Sequence, residues 1–161
     1  MNTKAKGDIG EELAVEYLKE NGYGILERNV KLADCEVDIV AEAYLDEFGN
    51  LIRPNTKRCN FFDRLSALFR KKKRTEKSCS KGEKTLVFVE VKTRETDDFG
   101  APEEAVDGYK KGRYVTAAKS YIVKHSEQNT PVRFDVITVE DGRVNHVENA
   151  FTINDARYSR R

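Results

Sequence analysis

The sequence predicts an α/β fold in the order helix, three strands, helix, two strands, and three observations predict it. Residues 7–21 carry apolar side chains at helical spacing, and so do Tyr114, Ala117, Ala118, Tyr121 and Ile122, at i, i+3, i+4, i+7 and i+8. Between them Thr85 to Arg94, TLVFVEVKTR, is a run of apolar, β-favouring residues of the kind that fills a sheet interior. The length of 161 residues suits one domain, 1–161, and 39% hydrophobic with 35% charged residues is a globular composition.

The first helix follows from its angular pattern. At 100° per residue from Ile9, Leu13, Tyr17, Gly10, Ala14 and Leu18 fall at about 40, 80, 100, 140 and 180°, one apolar arc. Glu11, near 200°, sits at the edge of that arc, whereas Glu12, near 300°, points to solvent. Glu11 is therefore the early glutamate expected to reach a site on the sheet. "NGYG" ends the helix, because glycine readily takes the left-handed cap conformation.

Strands are expected at 23–30 (YGILERNV) and 36–45 (EVDIVAEAYL), followed by a turn at DEFGN and a short return strand at LIR. After Pro54 the composition changes. From Arg53 to Lys84 there are 12 Lys or Arg and 3 Asp or Glu, a balance of +9, so the remainder of a chain whose total is +1 sums to −8. A basic insertion at 46–83 thus interrupts an acidic body. Within it Phe61, Phe62, Leu65, Leu68 and Phe69 have the spacing of a short amphipathic helix, and Lys71, Lys72, Lys73 and Arg74 follow directly. The segment reads as a solvated surface insertion. Its functional alternatives are a nucleic-acid clamp through those four cations and a docking helix for a protein partner.

Strand 85–93 comes next, then the loop ETDDFGAP and a helix over 103–125, with Lys110 on or beside its inner face. VRFDVITV and RVNHVE, joined by EDG, form a closing hairpin. The three cysteines show no CxxC spacing and His125 and His146 stand alone, so neither a disulfide framework nor a thiolate zinc site follows. No window approaches the roughly 18 apolar residues of a membrane span. The N-terminus lacks the apolar core of a signal peptide, and a cytoplasmic location is expected.

The chemistry lies where TLVFVEVKTR stops being apolar. Glu90 and Lys92 share a face with Phe88, about 6–7 Å apart, while Val87, Val89 and Val91 take the other. In CEVDIVA, Glu36 and Asp38 share one face, with Val37, Ile39 and Ala41 on the other. If the two strands pair as antiparallel neighbours, Asp38 meets Glu90 across the ladder, with Lys92 beside them. Two such carboxylates repel each other, and a divalent cation removes the conflict. Carboxylate and water oxygens suit Mg²⁺, which stabilises a phosphodiester undergoing displacement. A same-face ion pair on a solvated strand is the simpler alternative.

In order along the chain, GDIGEELAVEYL, NGYGILERNV, EVDIVA, LVFVEVKTR, FGAPEEAV, Lys110, AAKSYI and RFDVITV resemble the uncharacterised YraN-like bacterial family of predicted endonucleases. The resemblance covers nearly everything outside residues 46–83. That family is similar to the archaeal Holliday-junction resolvases and to the PD-(D/E)xK superfamily. The resemblance implies a restriction-endonuclease-like fold, a central mixed β-sheet flanked by helices, and Mg²⁺ (or Mn²⁺) at the sheet edge. It also implies DNA, branched or damaged, as substrate, and a homodimer.

By the same resemblance Asp38 matches the metal-binding aspartate, and Glu90 and Lys92 the acid and lysine of (D/E)xK. Glu11 matches the additional acid of the first helix, and Lys110 a lysine with a DNA-facing role. Cys35 stands where the family usually has glycine, and the insertion lengthens a connection that is usually short. The expected function is a Mg-dependent endonuclease. The alternative is a nucleic-acid-binding or assembly module of the same fold with little turnover.

Overall fold

A computed structural model describes residues 3–33, 35–52, 82–94 and 108–155, with side chains from Gly7 onward. Its element order is α1 (Thr3–Glu20), β1 (Gly24–Leu32), β2 (Cys35–Leu45), β3 (Glu83–Arg94), α2 (Gly108–His125), β4 (Val132–Glu140) and β5 (Arg143–Phe151). This is the expected order. The strands form one sheet in sequence order, β1-β2-β3-β4-β5, with β3 and β4 parallel and the other neighbours antiparallel. The parallel step needs a crossover, which α2 supplies.

Each face of the sheet carries one of the two described helices. Tyr114, Ala117, Ala118 and Tyr121 of α2 pack on Val40, Phe88 and Phe134. Ala14, Val15 and Leu18 of α1 pack on Ile39, Val87, Val89 and Ile137. The apolar run of β3 is therefore buried on both sides, which accounts for its lack of alternation between apolar and polar residues.

α1 is rotated from the arc expected of it. Ile9 is 48% exposed and Val15 only 1%, so the buried stripe runs from Gly10 through Ala14 and Leu18 to Val15. Glu11, near 200°, then lies inside the stripe rather than at its edge. Close approach of α1 to β3 fixes this rotation, because a Cβ at Gly10 would overlap the Thr93 hydroxyl. The helix ends in a Schellman cap. Gly22 has φ 94°, the Tyr23 N–H donates to the Leu18 carbonyl at 3.0 Å, and the Gly22 N–H donates to that of Lys19 at 3.1 Å.

β2 and β3 pair directly from Leu45↔Glu83 to Ile39↔Val89, so the basic insertion does not disturb their register. The expected LIR strand reduces to a single bridge, Leu45↔Leu51. No helix among the described residues is long and apolar enough to cross a membrane. The Phe61 to Phe69 helix and residues 103–107 lie outside the described residues.

Candidate active site

The site is built where β2 leaves β3. Their pairing stops at Ile39↔Val89, whereas β3 remains paired with β4 to Arg94↔Glu140. Just beyond the last β2–β3 pair, the Val91 N–H donates to Asp38 Oδ2 at 2.7 Å. A carboxylate thus takes the place of a ladder carbonyl.

The alternation of β2 breaks at the same point. The sequence pattern places Val37, Ile39 and Ala41 on one face, but Val37 packs in the cluster under α2, while Ile39 and Ala41 pack under α1. Across β1, the residue facing this break is Asn29, a non-glycine with φ 50°. Irregularities of this kind re-aim a side chain next to a site. Here the break turns Asp38 toward the end of β3.

Glu90 follows regular β3 alternation onto the α2 face and is 1% exposed. Its Oε1 faces the ammonium groups of Lys92, at 2.9 Å, and Lys110. The Tyr114 hydroxyl donates to Oε2. Burial pushes the Glu90 carboxyl up, but hydrogen bonds from Lys110, Tyr114 and Lys92 outweigh it, and the group lies below the ordinary carboxylate range. Burial likewise opposes the Lys92 charge, and its bond to Glu90 nonetheless raises that ammonium. Tyr114, with no exposure, is held well above a normal phenol by burial and by the charges of Asp38 and Glu90.

Asp38 takes the opposite course. Burial and then the Glu90 charge, with a smaller push from Glu11, raise its carboxyl to about 7, against pulls from the Val91 N–H and Lys110. One of the two neighbouring acids is thus stabilised as a carboxylate while the other resists ionisation.

A cleft of about 580 Å³ opens beside Asp38. Asp8 and Glu11 of α1, Glu36 and Asp38 of β2, and Lys110 and Arg113 of α2 line it, with Asn29 and Cys35. Of the residues named from sequence, Asp38, Glu11 and Lys110 line the cleft, and Glu90 and Lys92 join them through the ion pairs of Glu90. Lys71, Lys72, Lys73 and Arg74 lie outside the described residues. Cys35, the residue in place of the family glycine, is 6% exposed and packs with Val30, Leu32 and Val37. Burial raises its thiol above the ordinary value.

Among the described residues no group of three or more His, Cys, Asp or Glu is gathered tightly enough to hold a metal by itself. The donor set nevertheless fits a hard divalent cation completed by water. Asp38 and Glu90 offer carboxylate oxygens, and the resistance of Asp38 to ionisation is what a nearby cation would relieve.

Two features carry little local signal. Tyr114 was legible only as an apolar position on α2. His146 looked isolated, yet its Nε2 lies 2.8 Å from Asp135 Oδ2. Asp135 is fully buried and also accepts bonds from Arg133 Nε at 2.9 Å and Nη2 at 2.8 Å, and from the Asn149 N–H at 2.9 Å. Arg133 reaches on to Tyr23 and Glu148. The i, i+2 spacing of Arg133 and Asp135 in RFDVITV was the available signal.

A mixed sheet in this order, with a described helix on each face, is a restriction-endonuclease-like architecture. The model of the Uncharacterised protein family UPF0102 matches residues 10–139, and the chain belongs to that family. Similar proteins include a UPF0102 protein of Clostridioides difficile (strain 630), 36% identical over 94% of this chain and 100% of that protein. Another, from Persephonella marina (strain DSM 14350 / EX-H1), is 30% identical over 92% of this chain and 95% of its own length. A third, from Caldanaerobacter subterraneus subsp. tengcongensis, is 32% identical over 94% and 98%.

Proposed function

We propose that this chain is a divalent-metal-dependent nuclease acting on phosphodiester bonds in DNA, with Asp38 and Glu90 as ligands for Mg²⁺ or Mn²⁺. The observation that carries this reading is the juxtaposition of Asp38 and Glu90, with Lys92 on Glu90 at 2.9 Å, at the one place where β2 and β3 part. The cation, when bound, supplies charge neutralisation at the phosphoryl oxygen and a more acidic water. Lys92, held by Glu90, orients that water or neutralises the charge that develops on the phosphate. Glu11 adds a carboxylate from α1 and completes the outer shell of the site. Lys110 and Arg113 form a cationic wall suited to the phosphate backbone. Branched or damaged DNA is the substrate class that the family resemblance favours.

The test is a cleavage panel of duplex, single-stranded, flapped and four-way-junction DNA in Mg²⁺ and in Mn²⁺. Wild-type protein is expected to cut, and Asp38→Ala and Lys92→Ala each to lose on the order of 100-fold or more. Cleavage that persists unchanged in both variants would falsify the site assignment.

One observation favours a second reading, in which the protein binds nucleic acid or assembles with it but does not turn it over. The charge of Glu90 is already balanced by Lys92 and Lys110 without a cation. This reading predicts salt-sensitive DNA binding that weakens when residues 53–84 are deleted, with no cleavage under any metal.

A further inference from the structure

The two oxygens of Glu90 differ in what holds them. At Oε2 the donor is the hydroxyl of Tyr114, a residue with no exposure whose ring packs edge-on against Phe151 at 6.2 Å. Were that bond broken, a phenol hydroxyl would be left deep in the core without a partner, a costly state. At Oε1 the donors are two ammonium groups, each on a side chain 34% exposed and carried by a flexible stem. A displaced ammonium is taken over by water at little cost. Oε1 is therefore the oxygen of Glu90 that a cation reaches at the lower cost.

The two lysines differ in turn. Lys110 lines the cleft with Asp38, and its charge is felt by Asp38 as well as by Glu90. It thus occupies the electrostatic position that a cation bridging the two carboxylates would take. We propose that Lys110 is a resident counter-ion, and that a divalent cation binds Glu90 through Oε1 in exchange for the Lys110 ammonium while Tyr114 keeps Oε2. The exchange turns Lys110 into the cleft, toward phosphate. Cation occupancy and phosphate binding then favour each other, since the same lysine cannot satisfy Glu90 and a phosphate at once. This inference rests on the metal-dependent reading and adds to it the identity of the group displaced.

The experiment is lysine acylation of the full chain followed by mass spectrometry, without and with saturating Mg²⁺. Lys84, ion-paired with Glu127 and 32% exposed at its side chain, serves as internal reference. Labelling of Lys110 is expected to rise several-fold relative to Lys84 on adding Mg²⁺. In parallel, Mn²⁺ binding followed by electron paramagnetic resonance is expected to tighten about 10-fold or more in Lys110→Gln, because a competing unit charge is gone. If Mn²⁺ binds but Lys110 labelling does not rise, or if Lys110→Gln binds Mn²⁺ no more tightly, the exchange is wrong and the nuclease reading stands. If wild-type protein binds neither ion, both are overturned.

Discussion

The Val91 N–H donates a hydrogen bond to Asp38 Oδ2 at 2.7 Å, just past the end of the β2–β3 ladder. Asp38 therefore combines two separable features: its oxygen accepts a backbone N–H at the end of the ladder, and its charge is opposed by burial and by Glu90. Asp38→Asn keeps an acceptor for Val91 and removes the charge, whereas Asp38→Leu removes both. In metal-free protein at pH 8, the Asn variant is expected to be at least as stable as wild type. The Leu variant is expected to lose about 1–3 kcal/mol relative to Asn, the cost of an unsatisfied amide. Urea denaturation measures both, and equal stability of the two variants would show that the hydrogen bond contributes nothing.

The raised carboxyl of Asp38 makes stability depend on pH in a defined window. Its value is about 7 in the fold against an ordinary 3.8. Between these the folded protein retains a proton that the unfolded chain has released, so stability falls as pH rises, and the loss is complete above about pH 7. A shift of this size is worth on the order of 4 kcal/mol. Glu90 acts with opposite sign and at lower pH. Held below its ordinary 4.5, it contributes stability above that value and loses it as pH falls through the folded one. Denaturation of metal-free protein from pH 4 to 8 is expected to show a decline for wild type that disappears in Asp38→Asn. Parallel profiles would exclude Asp38 as its source.

The network on the α1 face makes a different prediction, about stability alone. Asp135 carries its charge with no exposure, and Arg133 holds it through two bonds. Arg133→Met strands that charge and is expected to cost about 3–5 kcal/mol. Arg133→Met combined with Asp135→Leu is expected to cost less than Arg133→Met alone, since no buried charge remains unpaired. Mn²⁺ affinity of the folded variants is expected to stay at the wild-type level. A double variant less stable than the single one would mean that the network's other partners, Tyr23, His146 and Glu148, dominate its energetics.

Much of the architecture was legible because its signals are local. The period of 3.6 in α1 and α2, the apolar run of β3 and the turn residues between strands each lie within a few neighbouring positions. The exceptions have physical reasons. Ile9 looked like the start of the buried arc, yet the contact of Gly10 with Thr93 rotates α1 and leaves Ile9 in solvent. Val37 looked like a face-mate of Ile39, yet the irregularity at Asp38 and Asn29 sends it to the opposite cluster. No local pattern encodes either effect, since each arises where two elements meet.

Periodicity and composition are enough for the elements, their order, and the presence of Glu11, Asp38, Glu90 and Lys92 at strand ends and on a helix face. What each of these groups touches is set by packing between elements. Asp38 and Val91 are 53 positions apart, Glu90 and Tyr114 are 24, and Arg133 and Tyr23 are 110. Such contacts depend on the register of β2 against β3 and on the rotation of each helix over the sheet. Burial against those neighbours separates the two acids, raising Asp38 and holding Glu90 down. Desolvation and charge act through distance in space, which the order of residues along the chain does not state.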